Sequence, residues 1–171
     1  MYKQLVILAL ILGCASFTLA QDIGLKSIAP KVSILLPQED GLEAGFGIGV
    51  AANLGEVADG IGLFPFAIYE MPGTEFSSLD VSNIQIGADV HYGVAENIYV
   101  GGGASLNFFS TEVDLGIFGG TVDNSETEFG LSVLGGYDFN ISDMQAAAEA
   151  RFDLIDNYNH LEISVLVYFP M

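Results

Sequence analysis

One period runs through most of this chain. Stretches of about ten to thirteen residues alternate large apolar side chains with small or polar ones, and turn-rich breaks separate them. Eight such stretches can be read, at about 25–36, 42–54, 61–70, 81–92, 97–109, 127–139, 144–154 and 160–169. In "LEAGFGIGVAANL" (42–54), Leu42, Ala44, Phe46, Ile48, Val50, Ala52 and Leu54 share one face, against Glu43, Gly45, Gly47, Gly49, Ala51 and Asn53. A period of two over this length specifies strands, not helices. Two stretches are less clean: 61–70 is apolar on both faces and carries Pro65, and the first holds Pro30. Both prolines predict a bulge or a break, because proline cannot donate to a ladder.

The second face decides the solvent. In "NIYVGGGASLNFF" (97–109) it reads Asn97, Tyr99, Gly101, Gly103, Ser105, Asn107 and Phe109, with no charge. Soluble β-proteins put Lys, Glu, Thr and Gln on the wet face. Glycine, alanine and serine instead suit a narrow interior, which turns the bulky apolar set outward. An apolar exterior on every strand is stable in lipid. There the sheet must close, because an open edge leaves backbone groups without partners. About ten residues per tilted strand also matches a bilayer. The sequence therefore predicts an all-β, eight-stranded antiparallel up-and-down transmembrane β-barrel.

Composition agrees. Half of the residues are apolar (51%) and 15% are charged, below the roughly 25–35% of a soluble surface. No run of about eighteen apolar residues follows the first twenty, so no helical span is expected in the mature part. The net charge is -18, and the bases are Lys3, Lys26, Lys31 and Arg151. That excludes nucleic acid, which needs a positive surface, and docking by charge on anionic lipid. Residues 1–20 read as a cleaved signal peptide: "MYK", the short apolar run "LVILALIL", and small residues ending at Ala20. Residues 21–171 then form the barrel domain. A rival reading makes Cys14, the one cysteine, a lipidated residue, although a bulky Leu precedes Gly13 in "ILGC".

An even strand number puts both termini on one side, the periplasm in barrels of this kind. Breaks 55–60, 93–96 and 140–143 fall on that side and are short; 37–41, 71–80, 110–126 and 155–159 fall on the other, and two of them are long. Aromatic residues gather toward the two ends: Phe46, Phe66, Tyr69, Phe108, Phe129 and Phe152 at the outer, Tyr92, Tyr99, Tyr137, Phe139 and Phe169 at the periplasmic.

With "ADVHYGVAENIYVGGGASLNF" and the closing "LEISVLVYF" in view, the chain resembles the small outer-membrane β-barrel superfamily. These are the OmpA/OmpX-like eight-stranded barrels, also described as an outer membrane protein beta-barrel domain or porin family. The resemblance covers roughly residues 22–171 and rests on pattern. It implies a bacterial outer-membrane location, contact with lipid and lipopolysaccharide, and insertion by the barrel-assembly machinery. The machinery would read an aromatic-ended last strand, here Tyr168 and Phe169, with Pro170 and Met171 added beyond it.

Parity places Lys31, Glu43, Asp89, Glu128, Asp138, Glu149, Arg151, Asp153 and Glu162 inside. An eight-stranded barrel is just wide enough for side chains to fill, and a buried Arg must be paired. The expected plug is Arg151 bonded to Glu162 or Glu149 and flanked by Asp153, with Lys31 serving the other acids, Glu43 and Glu128 among them. Its simpler role is structural; a gate is the functional alternative. His91 with Asp89, near an inward Ser105, has the residue types of a lipid-modifying enzyme but is most simply structural, and His160 reads as interfacial. The acidic loops lack the spacing of a calcium loop, so neither a metal nor a cofactor is expected. "VDLGIFGGTV" (113–122) is apolar for a loop and could prolong its strands as a hairpin around Gly119 and Gly120, offering an edge for adhesion. The sequence thus points to a monomeric structural or surface-adhesion barrel, not an enzyme, with a mostly plugged interior. The rivals are a narrow porin-like channel, a lipid-modifying barrel enzyme and a soluble lipocalin-like binder.

Overall fold

The computed structural model describes residues 23–75, 79–114, 121–156 and 158–171. The proposed signal peptide, Cys14, Gly119 and Gly120 lie outside them. The described residues form β1 (Ser27–Pro37), β2 (Leu42–Asn53), β3 (Glu56–Ala58), β4 (Ile61–Thr74), β5 (Leu79–Ala95), β6 (Ile98–Asp114), β7 (Thr121–Ile141), β8 (Met144–Ile155) and β9 (His160–Pro170). Every pairing is antiparallel. Apart from β3, which pairs with β4 alone, neighbours in the chain are neighbours in the sheet; β1 pairs with β9, and β2 pairs with β4. That closes eight strands into an up-and-down barrel. The ninth, β3, lies within the short 55–60 break; it folds back on the start of β4 as a short flap at the end where the termini lie, with Gly60 at positive φ in its turn.

Alternation in the sequence becomes two surfaces. Val32, Ile48, Ile86, Val100, Val133 and Val165 point outward and are exposed, Val133 by 59%. Lys31, Gln85, Asp89, Ser132, Glu149, Arg151, Glu162 and Ser164 point inward and are buried. A water-soluble fold would have the reverse arrangement.

The two prolines each interrupt one ladder. β1 keeps its register with β2 through Pro30↔Val50, but partners on β9 are missing between Ile28↔Phe169 and Lys31↔Leu166. β4 keeps its register with β5 through Pro65↔Ala88, while its ladder to β2 ends at Phe66↔Ala51. In each case one neighbouring strand carries the proline without loss, because a residue bonds to one side only.

Several boundaries differ from the sequence reading. Much of 71–80 and 110–126 is strand: β4 runs on to Thr74, β5 begins at Leu79, and β6 pairs with β7 out to Asp114↔Thr121. The polar residues of these strand ends, Ser110, Thr111 and Glu112 on β6 and Asn124, Ser125 and Glu126 on β7, reflect strands standing in water beyond the barrel. Two aromatics assigned to the ends are inside, Phe66 at 5% exposure and Tyr99 at 6%. Glycine on facing strands makes the room. A Cβ on Gly87 would lie 2.7 Å from the Phe66 ring, and one on Gly136 would overlap the Tyr99 ring. Phe46, Tyr69, Phe108 and Phe129 toward one end, and Tyr92, Tyr137 and Phe169 toward the other, do face outward; Phe139 and Phe152 are half-buried.

If the outer surface meets hydrocarbon, a charge there costs most at mid-depth. Val133→Arg is expected to lower unfolding stability in lipid vesicles by about 2–4 kcal/mol, and Ile141→Arg, at a strand end, by about 0–1 kcal/mol. Equal costs in a denaturant titration would contradict this orientation.

Candidate functional site: the charged lumen

β8 supplies the centre of the lumen. Its period of two sends Glu149, Arg151 and Asp153 inward, and the ladders put Arg151 opposite Glu162 on β9 and Leu134 on β7. The Arg151 guanidinium bonds through Nη2 to Oδ2 of Asp89, across the barrel on β5. Nη1 donates to Ser132 Oγ at 3.4 Å, and Ser132 in turn donates to Asp89 at 3.4 Å. Glu162 at 3.5 Å, Asp153 at 3.7 Å and Glu149 at 3.9 Å complete its surroundings. The guanidinium carbon also lies 4.4 Å over the Phe66 ring, a favourable placement for a cation. Lys31 bridges two acids, donating to Glu162 at 2.9 Å and Glu149 at 3.1 Å.

This network continues toward both mouths. On the side of the termini, Tyr99 donates to Glu149 at 3.0 Å. His91 is stacked between Phe64 and Tyr99, with ring centroids at 4.0 and 4.5 Å. A cleft of about 280 Å³ opens above this stack, lined by Lys26, Asp138, Gln145 and Tyr168 among others. Toward the far mouth, Gln85 donates to Asp153 at 3.0 Å, and His160 Nε2 lies 3.6 Å from Asp153 and 3.4 Å from Glu70. Asn83 donates to both Glu70 and Asn107. Tyr158, from the β8–β9 connection, tucks in over His160 and packs edge-on against Phe109. Burial pushes the Tyr158 phenol up, and the carboxylates of Glu70 and Asp153 add to the shift. It therefore stays neutral at physiological pH.

Five of the residues assigned to the network from sequence thus meet: Arg151, Glu149, Glu162, Asp153 and Lys31. Two do not. Glu43 is exposed at the start of β2, where the β2–β4 register shifts between Glu43 and Phe46. Glu128 is half-buried opposite Asn107, on the part of β7 that has run past the end of β8. Both sit at the far rim, where water replaces the lumen. The direct partner of Arg151 is Asp89, which the sequence reading set beside His91. Glu70, a loop acid by its place in the sequence, and His160, an interfacial residue by its place at the start of the last strand, are both fully buried. Their parity held the signal: Glu70 shares a face with Phe66 and Ile68, and His160 with Glu162 and Ser164. At the C-terminus Phe169 faces outward while Tyr168 is buried in the lumen.

The arrangement does not assemble Asp89, His91 and Ser105 for nucleophilic chemistry. Asp89 holds Arg151, His91 lies 3.9 Å from Glu149, and Ser105 accepts bonds from Gln85 and Asn107. What it does is fill the bore with a crosslinked polar core joining β1, β4, β5, β6, β7, β8 and β9.

Removing one partner of a buried ion pair strands the other. Arg151→Met is expected to lower unfolding stability by about 3–5 kcal/mol, whereas Glu43→Gln and Glu128→Gln should change it by less than about 0.5 kcal/mol. Denaturant unfolding in vesicles reads both; a small effect of Arg151→Met would remove the network from the account of stability.

No family model and no curated protein matches the chain. Solved structures do. It is similar to the Neisserial surface protein A (TM-score 0.60, 20% identity, covering 85% of this chain and 96% of that one). It is also similar to Ail, the attachment invasion locus protein of Yersinia pestis, in complex with the heparin analogue sucrose octasulfate (TM-score 0.61, 15% identity, 87% and 99%). A third likeness is to the N-terminal β-barrel domain of Pseudomonas aeruginosa OprF (TM-score 0.58, 11% identity, 85% and 99%).

Proposed function

Sharing its fold with small outer-membrane barrels, the chain is, we propose, an integral protein of the bacterial outer membrane with a structural or surface-adhesion role and a plugged bore. The observation that carries this reading is the inversion of the two surfaces: apolar side chains cover the outside, and ion pairs cross the inside. Two of the structural neighbours are named for the cell surface and for attachment and invasion. The extension of β5, β6 and β7 beyond the barrel gives this chain a body to present outside the membrane.

In this reading the termini end is periplasmic and the far end is extracellular. The band of exposed apolar residues contacts lipid, and lipopolysaccharide surrounds the far rim. Phe169, outward on the last strand, serves the assembly machinery; Tyr168 contributes to the vestibule instead. The protein acts as a monomer and not as an enzyme, because the residues suited to catalysis are committed to the plug.

A narrow channel is the second reading. Arg151 and Lys31, each tied to acids on other strands, oppose it in the resting state.

An epitope inserted within 115–120 is expected to bind antibody on intact cells, and a C-terminal tag only after the outer membrane is permeabilised. The reverse pattern would overturn the sidedness. In planar bilayers the native protein should show no steady conductance steps and Arg151→Ala should show them; steady steps from the native protein would favour the channel.

A further inference from the structure

The ladders on the two sides of β7 end at different heights. Toward β6 they continue to Asp114↔Thr121, whereas toward β8 they stop at Gly130↔Ile155. Residues 121–129 therefore have a strand on one edge and, among the described residues, none on the other. β5 joins the far side of β6 as high as Leu79↔Val113, so the projection is a three-stranded sheet that holds β7 extended. Exposed edges are ordinarily protected by charged side chains, Lys above all, or by Pro, bulges or covering segments; here the charges are acids, which guard against an acidic or identical strand and not against a basic one. "TVDNSETEF" contains no Lys and no Pro, and the β6–β7 register runs without a shift. A strand can add there through main-chain bonds alone.

Charge selects what adds. Segments 37–43, 74–82, 109–129 and 155–160 contain no Lys or Arg, so the described residues of the far end carry neither. Among the described bases, Lys31 and Arg151 are inside the lumen, and Lys26 precedes β1 at the opposite end. Along the free edge, Glu126 is exposed and Glu128 half-buried. A second copy laid along this edge would set acid against acid, and a sulfated polyanion would be repelled.

We propose that the free edge of β7 at residues 121–129 takes an extended segment of a partner protein rich in Lys or Arg as an added strand. This deepens the surface-adhesion reading and rests on it.

The test uses the full mature chain refolded in detergent micelles, with gel migration before and after boiling as the check on folding. The probe is a peptide of about ten alternating Lys and Thr residues. Its controls are the same peptide N-methylated throughout, which keeps the charge and removes every backbone donor, an alternating Glu and Thr peptide, and sucrose octasulfate. The Lys/Thr peptide is expected to bind, more weakly as salt rises. N-methylation, or the pair Glu126→Lys and Glu128→Lys, should reduce affinity by about tenfold or more, and the two anionic probes should not bind. Equal binding of the methylated peptide would show attraction by charge without strand addition and overturn the proposal. So would absence of Lys/Thr binding by correctly folded protein, or binding of sucrose octasulfate. None of these outcomes touches the sidedness, which the epitope experiment on cells reads separately.

Discussion

A peptide group in hydrocarbon has no water to bond, so its partner must come from the chain itself. Nearly everything else in this molecule answers to that condition. β2 meets β4 and β1 meets β9, so the eight long strands form a cycle with no open edge within the barrel. At Pro30 and Pro65, within the barrel, the ladders lapse on one side each. Above the barrel the condition is relaxed, and β7 keeps an unpaired edge. The limit between paired and unpaired edge on β7 falls at Gly130, the last β7 residue that β8 reaches.

Closing eight strands leaves an interior that side chains must fill, and the choice of filling follows from the exterior. Most bulky apolar groups face outward, so the inside is filled by carboxylates, amides, serines and glycines beside a smaller apolar cluster that includes Phe66, Ile68, Leu134 and Leu166. Burying charge is costly unless each group is paired. Among the described residues, the buried acids are Glu70, Asp89, Glu149, Asp153 and Glu162, facing Lys31, Arg151, His91 and His160. Sharing is what makes this tolerable. Lys31 serves two carboxylates, and Arg151 reaches Asp89 directly while lying within 4 Å of three more. The polar core thereby links strands distant in sequence, as a hydrophobic core does in a soluble protein.

Most of the fold was legible because a period of two with small inward residues has few other solutions. Strand ends were less so. The strand ends at 110–112 and 123–126 are polar because they stand in water, and polarity alone reads as loop. Height along a strand does not tell which face an aromatic takes: Phe66 and Tyr99 stand near the ends but point inward, Tyr99 on the small-residue face of its strand, with Gly87 and Gly136 offering the matching space. In the lumen, parity brought out Arg151, Glu149, Asp153, Glu162 and Lys31. It could not reveal that the short route from Arg151 runs across the bore to Asp89, since that depends on how a closed sheet folds β5 over β8. Glu128 had the right parity at the wrong height, and the register shift between Glu43 and Phe46 breaks the alternation that had put Glu43 inside.

The central claim is that the outward side chains of every barrel strand touch hydrocarbon. The chain has no tryptophan, so one tryptophan placed at Val32, Ile86 or Val133 reports from β1, β5 or β7 alone. In vesicles of lipid brominated on the acyl chains, fluorescence at all three sites should be strongly quenched and aqueous iodide should have little effect. Strong iodide quenching, or indifference to bromine at any of the three, would mean that this face meets water or protein and would contradict the account.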